Sequence, residues 1–224
     1  MAAALFVGRG TRLCWGGEIM PVFVTRGQAL FSGRKASVFH LTRLMARVFL
    51  APFFGMEVLN QDSVPKEGAF ILLPKHQRWE DIPLLALASP RPVYYVAKYE
   101  LFVNPLSAWY IRSLGGIPLN RKRPLESRAA LRGVLEVLKM GEGVVIFPEG
   151  TYFRDRMGPG HAGLIRMIRS QIAVSLVPVG IRYSGTGRKH VEIKFGRPLF
   201  EEPSTRPEAL RNRIMEDIAR LSGL

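Results

Sequence analysis

Residues 69–89 read AFILLPKHQRWEDIPLLALAS. The apolar run 69–73 is short and is stopped by Pro74, which predicts a buried strand over 69–75. DIPLLALAS predicts a helix, with Pro83 in the first turn, where a missing N–H costs nothing. Between the two stand His76 and, five residues on, Asp81. In a continuous helix residues five apart sit about 140° from a shared face. The pair can meet only if the chain turns from strand into helix between them. An aspartate bonded to one imidazole nitrogen fixes the tautomer and raises the basicity of the other. The free nitrogen then accepts a proton from a hydroxyl. The chain carries no G-x-S-x-G nucleophile, so that hydroxyl would belong to a substrate attacking an activated acyl group. Alone, H-x-x-x-x-D is a common pattern and reads more readily as a surface histidine beside a helix-capping aspartate. A metal would need more ligands than His76, Glu80 and Asp81 supply.

Outward from this stretch, strands alternate with helices. RPVYYVAK (91–98), GVVIFPEGT (143–151), SLVPVGIRY (175–183) and HVEIKFGR (190–197) predict strands, and GGIPLNR (115–121) a loop with a short strand. Residues 99–114, 125–140, 161–171 and 205–222 predict helices; 125–140 shows an apolar stripe through Leu131, Val134, Leu135 and Leu138 and stops at Gly141. Pro178 inside its strand predicts an edge or a strand end. The alternation implies an α/β fold with a mostly parallel central sheet flanked by helices. In such sheets active sites gather in loops beyond the carboxyl ends of the strands. The loops holding KHQRWED, GGIPLNR and FPEGT qualify.

The 224 residues are 47 % hydrophobic and carry a net charge of +14. This describes one folded domain, or one with an extension, and it implies an anionic partner: nucleic acid, acidic lipid or a phosphorylated small molecule. The single Cys14 leaves no intrachain disulfide and no cysteine metal cluster. No run approaches the roughly 20 apolar residues of a spanning helix. Residues 1–50 hold seven basic residues against Glu18 alone. Their basic, acid-poor opening reads as a transit peptide, or as sequence preceding a true start at Met20. The domain division is therefore 1–56, a basic membrane-docking segment poorly ordered over 1–36, and 57–224, the folded domain. From Ser37 to Gly55 the pattern is that of a basic amphipathic helix. It reads either as packed on the core or as lying in a lipid interface, arginines on anionic head groups and Phe53 and Phe54 dipping inward.

Three further loops join the His–Asp pair. FPEGT ends a buried strand in Glu149, Gly150 and Thr151; GGIPLNRKR brings Arg121 to a loop; VPVG holds Pro178. An arginine fork matches phosphate oxygens. In this order and spacing, His76–Asp81, Gly115–Arg121, Phe147–Thr151 and Val177–Gly180 resemble the four motif blocks of the glycerolipid acyltransferases, the 1-acylglycerol-3-phosphate acyltransferase family, over about residues 60–200.

The resemblance implies that His76 is the general base on the acceptor hydroxyl and that Asp81 orients it. It implies that Arg121 binds the acceptor phosphate, that Glu149, Gly150 and Thr151 belong to the acceptor-binding block, and that Pro178 packs the site wall. No metal or tightly bound cofactor is expected; acyl-coenzyme A or acyl-carrier protein is the co-substrate. The expected partners are a membrane surface with anionic lipids and a lysophospholipid, without nucleic acid. The expected location is the cytoplasmic face of a membrane, peripherally, with organelle targeting an alternative. Two departures bear on the acceptor. Tyr152 follows Thr151 where many members have arginine, so the phosphate contact shifts to Arg154 or the acceptor is another lysolipid or lipid alcohol. Lys75 precedes His76 where a small polar residue is common. Two other readings remain: a basic membrane- or nucleic-acid-binding protein without activity, and a thioesterase in which His76 activates water. GPGHAG (158–163) fits G-x-G-x-x-G, but it lacks the preceding apolar strand and the acidic ribose ligand that a dinucleotide site needs.

Overall fold

The computed structural model describes residues 33–120, 124–161, 163–199 and 206–224. The basic stretch 1–32, the residues 121–123 that include Arg121, and Ala162 within GPGHAG lie outside them. Seven strands form one sheet: β1 (Phe54–Leu59), β2 (Phe70–Pro74), β3 (Val93–Lys98), β4 (Gly116–Leu119), β5 (Gly143–Val145), β6 (Ser175–Ser184) and β7 (Lys189–Phe195). Their order is β1-β7-β6-β2-β5-β3-β4. All neighbours are parallel except β6 and β7, which form an antiparallel pair. The mostly parallel α/β expectation is met.

β2 lies in the middle and is buried at all five positions, because both faces are covered. Ile71 and Leu73 point to one core layer with Val134, Ile165 and Ile214, which belong to helices α4 (Pro124–Lys139), α5 (Gly163–Arg169) and α6 (Pro207–Ser222). Phe70 and Leu72 point to the opposite layer, with Leu84 and Leu85 of α2 (Asp81–Ala88). Helix α6 presses onto β6 so closely that a Cβ on Gly180 would fall 2.3 Å from the Leu221 carbonyl carbon. Only glycine permits that approach.

The structure revises the sequence reading in three places. Helix α1 (Ala36–Leu50) ends five residues before Gly55. Phe54 is not free to dip into a lipid interface: it opens β1, is 9 % exposed and packs edge-on to Tyr183, whereas Phe53 is 64 % exposed. The sheet thus begins before Glu57, since Phe54, Gly55 and Met56 already pair with Lys189, His190 and Val191. Pro178 is on an interior strand, not an edge. It is tolerated because the β6–β7 ladder stops beside it: the last pair is Val179 with Phe195, and the Pro178 carbonyl accepts from Gly196 N–H at 2.8 Å. A proline nitrogen facing a ladder's end forfeits no bond.

Candidate active site

Strand order brings the motif loops together. β2 lies between β5 and β6, so the loop after β2, the FPEGT loop after β5 and the C-terminal half of β6 converge at one end of the sheet. β2 pairs onward through Lys75 N–H to the Val179 carbonyl, 2.9 Å. His76 is the next residue, and α2 begins at Asp81. The strand-turn-helix geometry required by the five-residue spacing is present.

The Asp81 carboxylate is filled. Its Oδ2 lies 3.0 Å from His76 Nδ1 and accepts from the backbone N–H groups of Gln77 (2.6 Å) and Arg78 (2.8 Å). Its Oδ1 accepts from the Tyr183 hydroxyl at 2.6 Å. Burial, and then the Asp81 charge beside it, push the Tyr183 phenol far above its usual range, so the hydroxyl remains a donor. The His76 ring stacks on Phe147, centroids 3.8 Å apart, and meets the edge of Tyr152 at 4.4 Å. Burial, followed by the charges of Asp81 and Glu80, raises the Tyr152 phenol as well. With Nδ1 on Asp81 and the ring clamped from two sides, Nε2 is the one ring atom left for chemistry. Among the described residues it has no hydrogen-bond partner.

A second buried carboxylate holds the backbone of the same histidine. Glu149 is 1 % exposed and Lys75 is fully buried. Lys75 Nζ donates to both Glu149 oxygens, at 2.9 and 2.8 Å, and to the Phe153 carbonyl at 2.6 Å. Glu149 also accepts from His76 N–H (2.9 Å) and Gly158 N–H (2.7 Å). Phe153 N–H donates to the His76 carbonyl, 2.9 Å. Gly150, at φ 72°, makes the turn that lets the loop fold back over His76.

An apolar cavity of about 500 Å³ opens from His76. Its walls come from α1 (Phe39, Thr42, Arg43, Ala46), α2 (Ile82, Pro83, Ala86), the end of β3 (Tyr95 to Lys98), Leu101, α3 (Pro105–Ser113) through Ile111, and the 146–152 loop. Tyr95 is half-buried there, its hydroxyl donating to the Ile82 carbonyl at 3.2 Å, and desolvation raises its phenol, with Arg43 opposing. Arg43 also donates to the Leu87 and Ser89 carbonyls at the end of α2.

Of the residues singled out in the sequence, His76, Gly150 and Thr151 line this cavity and Asp81 supports it. Glu149 faces inward to Lys75. Pro178 sits in the sheet opposite Leu73, away from the cavity lining. Arg154 is exposed and is not part of the lining either. Arg121 is outside the described residues. Sequence reasoning missed Tyr183 and Phe147 as partners of the pair and treated Lys75 only as a departure. Lys75 and Glu149 are 74 residues apart, and only the β2–β5 adjacency joins them. A lysine closing an apolar strand was the available signal, since an unpaired lysine is seldom buried.

Comparison with known proteins agrees with this architecture. A family model described as Acyltransferase matches residues 55–182. The 1-acyl-sn-glycerol-3-phosphate acyltransferase of Streptococcus pneumoniae is 29 % identical over 177 residues, which cover 72 % of this chain and 64 % of that protein. The chain thus spans less than two thirds of that relative's length. The Bacillus subtilis protein of the same name is 27 % identical over 186 residues, 76 % of this chain and 92 % of that one. The crystal structure of PlsC, the 1-acyl-sn-glycerophosphate (LPA) acyltransferase of Thermotoga maritima, superposes with a TM-score of 0.66 at 26 % identity, covering 83 % of this chain and 78 % of that one. The family match spans more than half of the chain and includes both the His76–Asp81 pair and the Phe147–Thr151 loop, and on that ground this chain belongs to the Acyltransferase family.

Proposed function

We propose that the chain transfers a fatty acyl group from a thioester, acyl-coenzyme A or acyl-carrier protein, to the free hydroxyl of 1-acylglycerol-3-phosphate, giving phosphatidic acid. The observation that carries this is a His–Asp pair whose one free nitrogen stands at the end of an apolar cavity. Such a nitrogen serves a base, and such a cavity, at about 500 Å³, falls in the range of small-molecule sites and suits an acyl chain. The names of the Streptococcus, Bacillus and Thermotoga relatives support the acceptor.

In this reading His76 Nε2 takes the proton of the acceptor hydroxyl as its oxygen attacks the thioester carbonyl carbon. The tetrahedral intermediate collapses with cleavage of the carbon–sulfur bond. The imidazolium returns its proton to the departing thiolate, so the enzyme ends as it began. Asp81 holds the ring and stabilises the imidazolium, with Tyr183 behind it. Glu149 and Lys75 position the histidine's backbone. Arg121 keeps the part that the family resemblance gives it, as a ligand of the acceptor phosphate.

The reading includes a membrane surface. Leu41, Leu44, Met45, Val48 and Phe49 recur at three- and four-residue spacing along α1 and are all exposed, while Phe39 and Ala46 on its other side cover the cavity. Leu101, Val103, Leu106 and Trp109 continue the exposed apolar surface around α3. The Thr42 and Tyr110 hydroxyls, 3.1 Å apart, join the two helices. Exposed Lys35, Arg47 and Lys98 stand around it. This is the composition of a helix face lying in an anionic lipid interface. No helix of the described residues is long and apolar enough to cross a membrane.

The test is acyl transfer in mixed micelles from labelled acyl-coenzyme A and acyl-carrier protein to 1-acylglycerol-3-phosphate, glycerol 3-phosphate and an uncharged lysolipid. Phosphatidic acid from the first acceptor supports the reading. Acylation of another acceptor alone would keep the chemistry and replace the substrate. Release of free fatty acid with every acceptor would favour thioester hydrolysis instead.

A further inference from the structure

We infer that Arg78 is an anion ligand beside the His76–Asp81 pair, placed to hold a phosphate oxygen of one of the two substrates. The inference rests on the acyl-transfer reading for the identity of those substrates and on geometry for the site.

The backbone of Arg78 is fixed by the pair itself, since its N–H donates to Asp81 Oδ2 at 2.8 Å. Its side chain lies over the Tyr183 ring, with Cζ 4.7 Å from the centroid. That ring is held in turn by its hydroxyl on Asp81 Oδ1 and by the edge of Phe54. The guanidinium therefore has a shelf and a fixed neighbourhood, and it is half-buried.

Yet the guanidinium is unspent. Among the described residues it has no hydrogen-bond acceptor and no ion pair, and its Nε is buried without a partner. Two other partly buried arginines are occupied. Arg91 donates to the carbonyls of Pro65, Gly68 and Gly141, and Arg43 to those of Leu87 and Ser89. A guanidinium does not lose its charge in a protein, and a buried donor without an acceptor is costly. The nearby acids do not cancel it. Asp81 already accepts from four donors, and Glu80, whose charge reaches Tyr183 as that of Arg78 does, forms no ion pair with it.

What would satisfy such a group is a tetrahedral oxyanion with two oxygens to match the planar fork. An aromatic shelf is compatible with this, because the ring takes the guanidinium face and leaves its edge N–H groups for the ligand. Two substrate phosphates have that chemistry: the phosphomonoester of the acceptor and the phosphates of coenzyme A. Glu80, two residues on in the chain, carries a charge of the sign that opposes either contact.

The test uses Arg78→Met, which keeps an unbranched chain over Tyr183 and removes the fork, and Arg78→Lys, which keeps charge without the fork. KM is measured for 1-acylglycerol-3-phosphate against monoacylglycerol, and for acyl-coenzyme A against an S-acyl-pantetheine. The expected result is a rise of about tenfold or more in KM for one phosphate-bearing substrate, the loss of a charge-assisted fork, with its phosphate-free counterpart unchanged. Arg78→Lys recovers part of it, and Glu80→Gln lowers the same KM. Which substrate responds tells the acceptor phosphate from the coenzyme phosphates. Calorimetric titration of wild type and Arg78→Met with glycerol 3-phosphate and with coenzyme A keeps the two readings apart: weaker binding by a variant that melts like wild type supports the site even if no acyl transfer is seen. Equal KM values for all four substrates, together with unchanged titrations, would overturn it.

Discussion

Two regions meet at the cavity, and they are built on opposite principles. At the sheet end, residues 75–81 and 147–158 bury two carboxylates, a lysine and a histidine, and nearly every polar atom there is spent on another. Across the cavity, α1 and α3 bury little polar chemistry and leave Leu44 at 58 %, Phe49 at 62 % and Trp109 at 51 % exposed. Among the described residues, the first region leaves His76 Nε2 and the Arg78 guanidinium beside that network without a hydrogen-bond partner. The second is incomplete as it stands and reads as a surface awaiting lipid. The contrast teaches that rigidity and adhesion are separated: one side fixes a proton acceptor, and the other brings apolar substrates to it.

The sharpest way to break the contrast is at the histidine. His76→Ala should cost about 10²-fold or more in acyl transfer, as loss of a general base does, with the fold retained because Asp81 keeps its three other donors. Asp81→Asn should fall in the same range, since an amide can present N–H groups to the ring and disturb its tautomer. Steady-state rates on folded variants check both.

Next comes the Lys75–Glu149 pair. Removing one member leaves the other charged, buried and without its counter-ion, and should cost about 3–5 kcal/mol. Lys75→Met and Glu149→Gln should each lower the unfolding free energy by that order, read from denaturant melts. The double variant should recover much of the loss, because a buried ion pair is often replaceable by neutral groups. Equal losses that simply add would contradict the pairing.

The apolar region should respond in the opposite manner. Leu44→Ser with Phe49→Ser removes two exposed side chains, so folding stability should move by no more than about 0.5 kcal/mol per site. Vesicle binding should weaken several-fold or more, since each side chain buried in lipid contributes roughly 1.5–3 kcal/mol. Sedimentation with anionic vesicles, beside a melting curve, separates the two effects. The smallest expected effect is at Tyr183→Phe, which takes one of four donors from Asp81. A few-fold loss of rate follows from about 1.5–3 kcal/mol for a bond to a charged group, of which only the part felt at His76 reaches the chemistry.

The two regions were unequally legible in the sequence. The His76–Asp81 turn could be read because a strand-stopping proline, a histidine and a helix-starting aspartate lie within eight residues. FPEGT could be read because a carboxylate and a glycine end an apolar strand. Their partners could not. Tyr183 lies 102 residues from Asp81, and nothing local distinguishes it from any strand tyrosine. β1 was hidden because Phe53 and Phe54 look alike in sequence, yet one is exposed and the other opens a strand; pairing with β7, more than 130 residues away, decides between them. Pro178 misled for a related reason, since the rule that confines proline to edges concerns hydrogen bonds, and those are set by where β7 stops.

The central claim is that His76 Nε2 activates a substrate hydroxyl, not water. The most direct measurement follows labelled acyl-coenzyme A with 1-acylglycerol-3-phosphate on anionic vesicles, and quantifies phosphatidic acid and free fatty acid together for wild type and His76→Ala. The account predicts that wild type makes phosphatidic acid far faster than fatty acid and that the variant loses the former. Fatty acid as the main His76-dependent product, or phosphatidic acid formed equally well without His76, would contradict it.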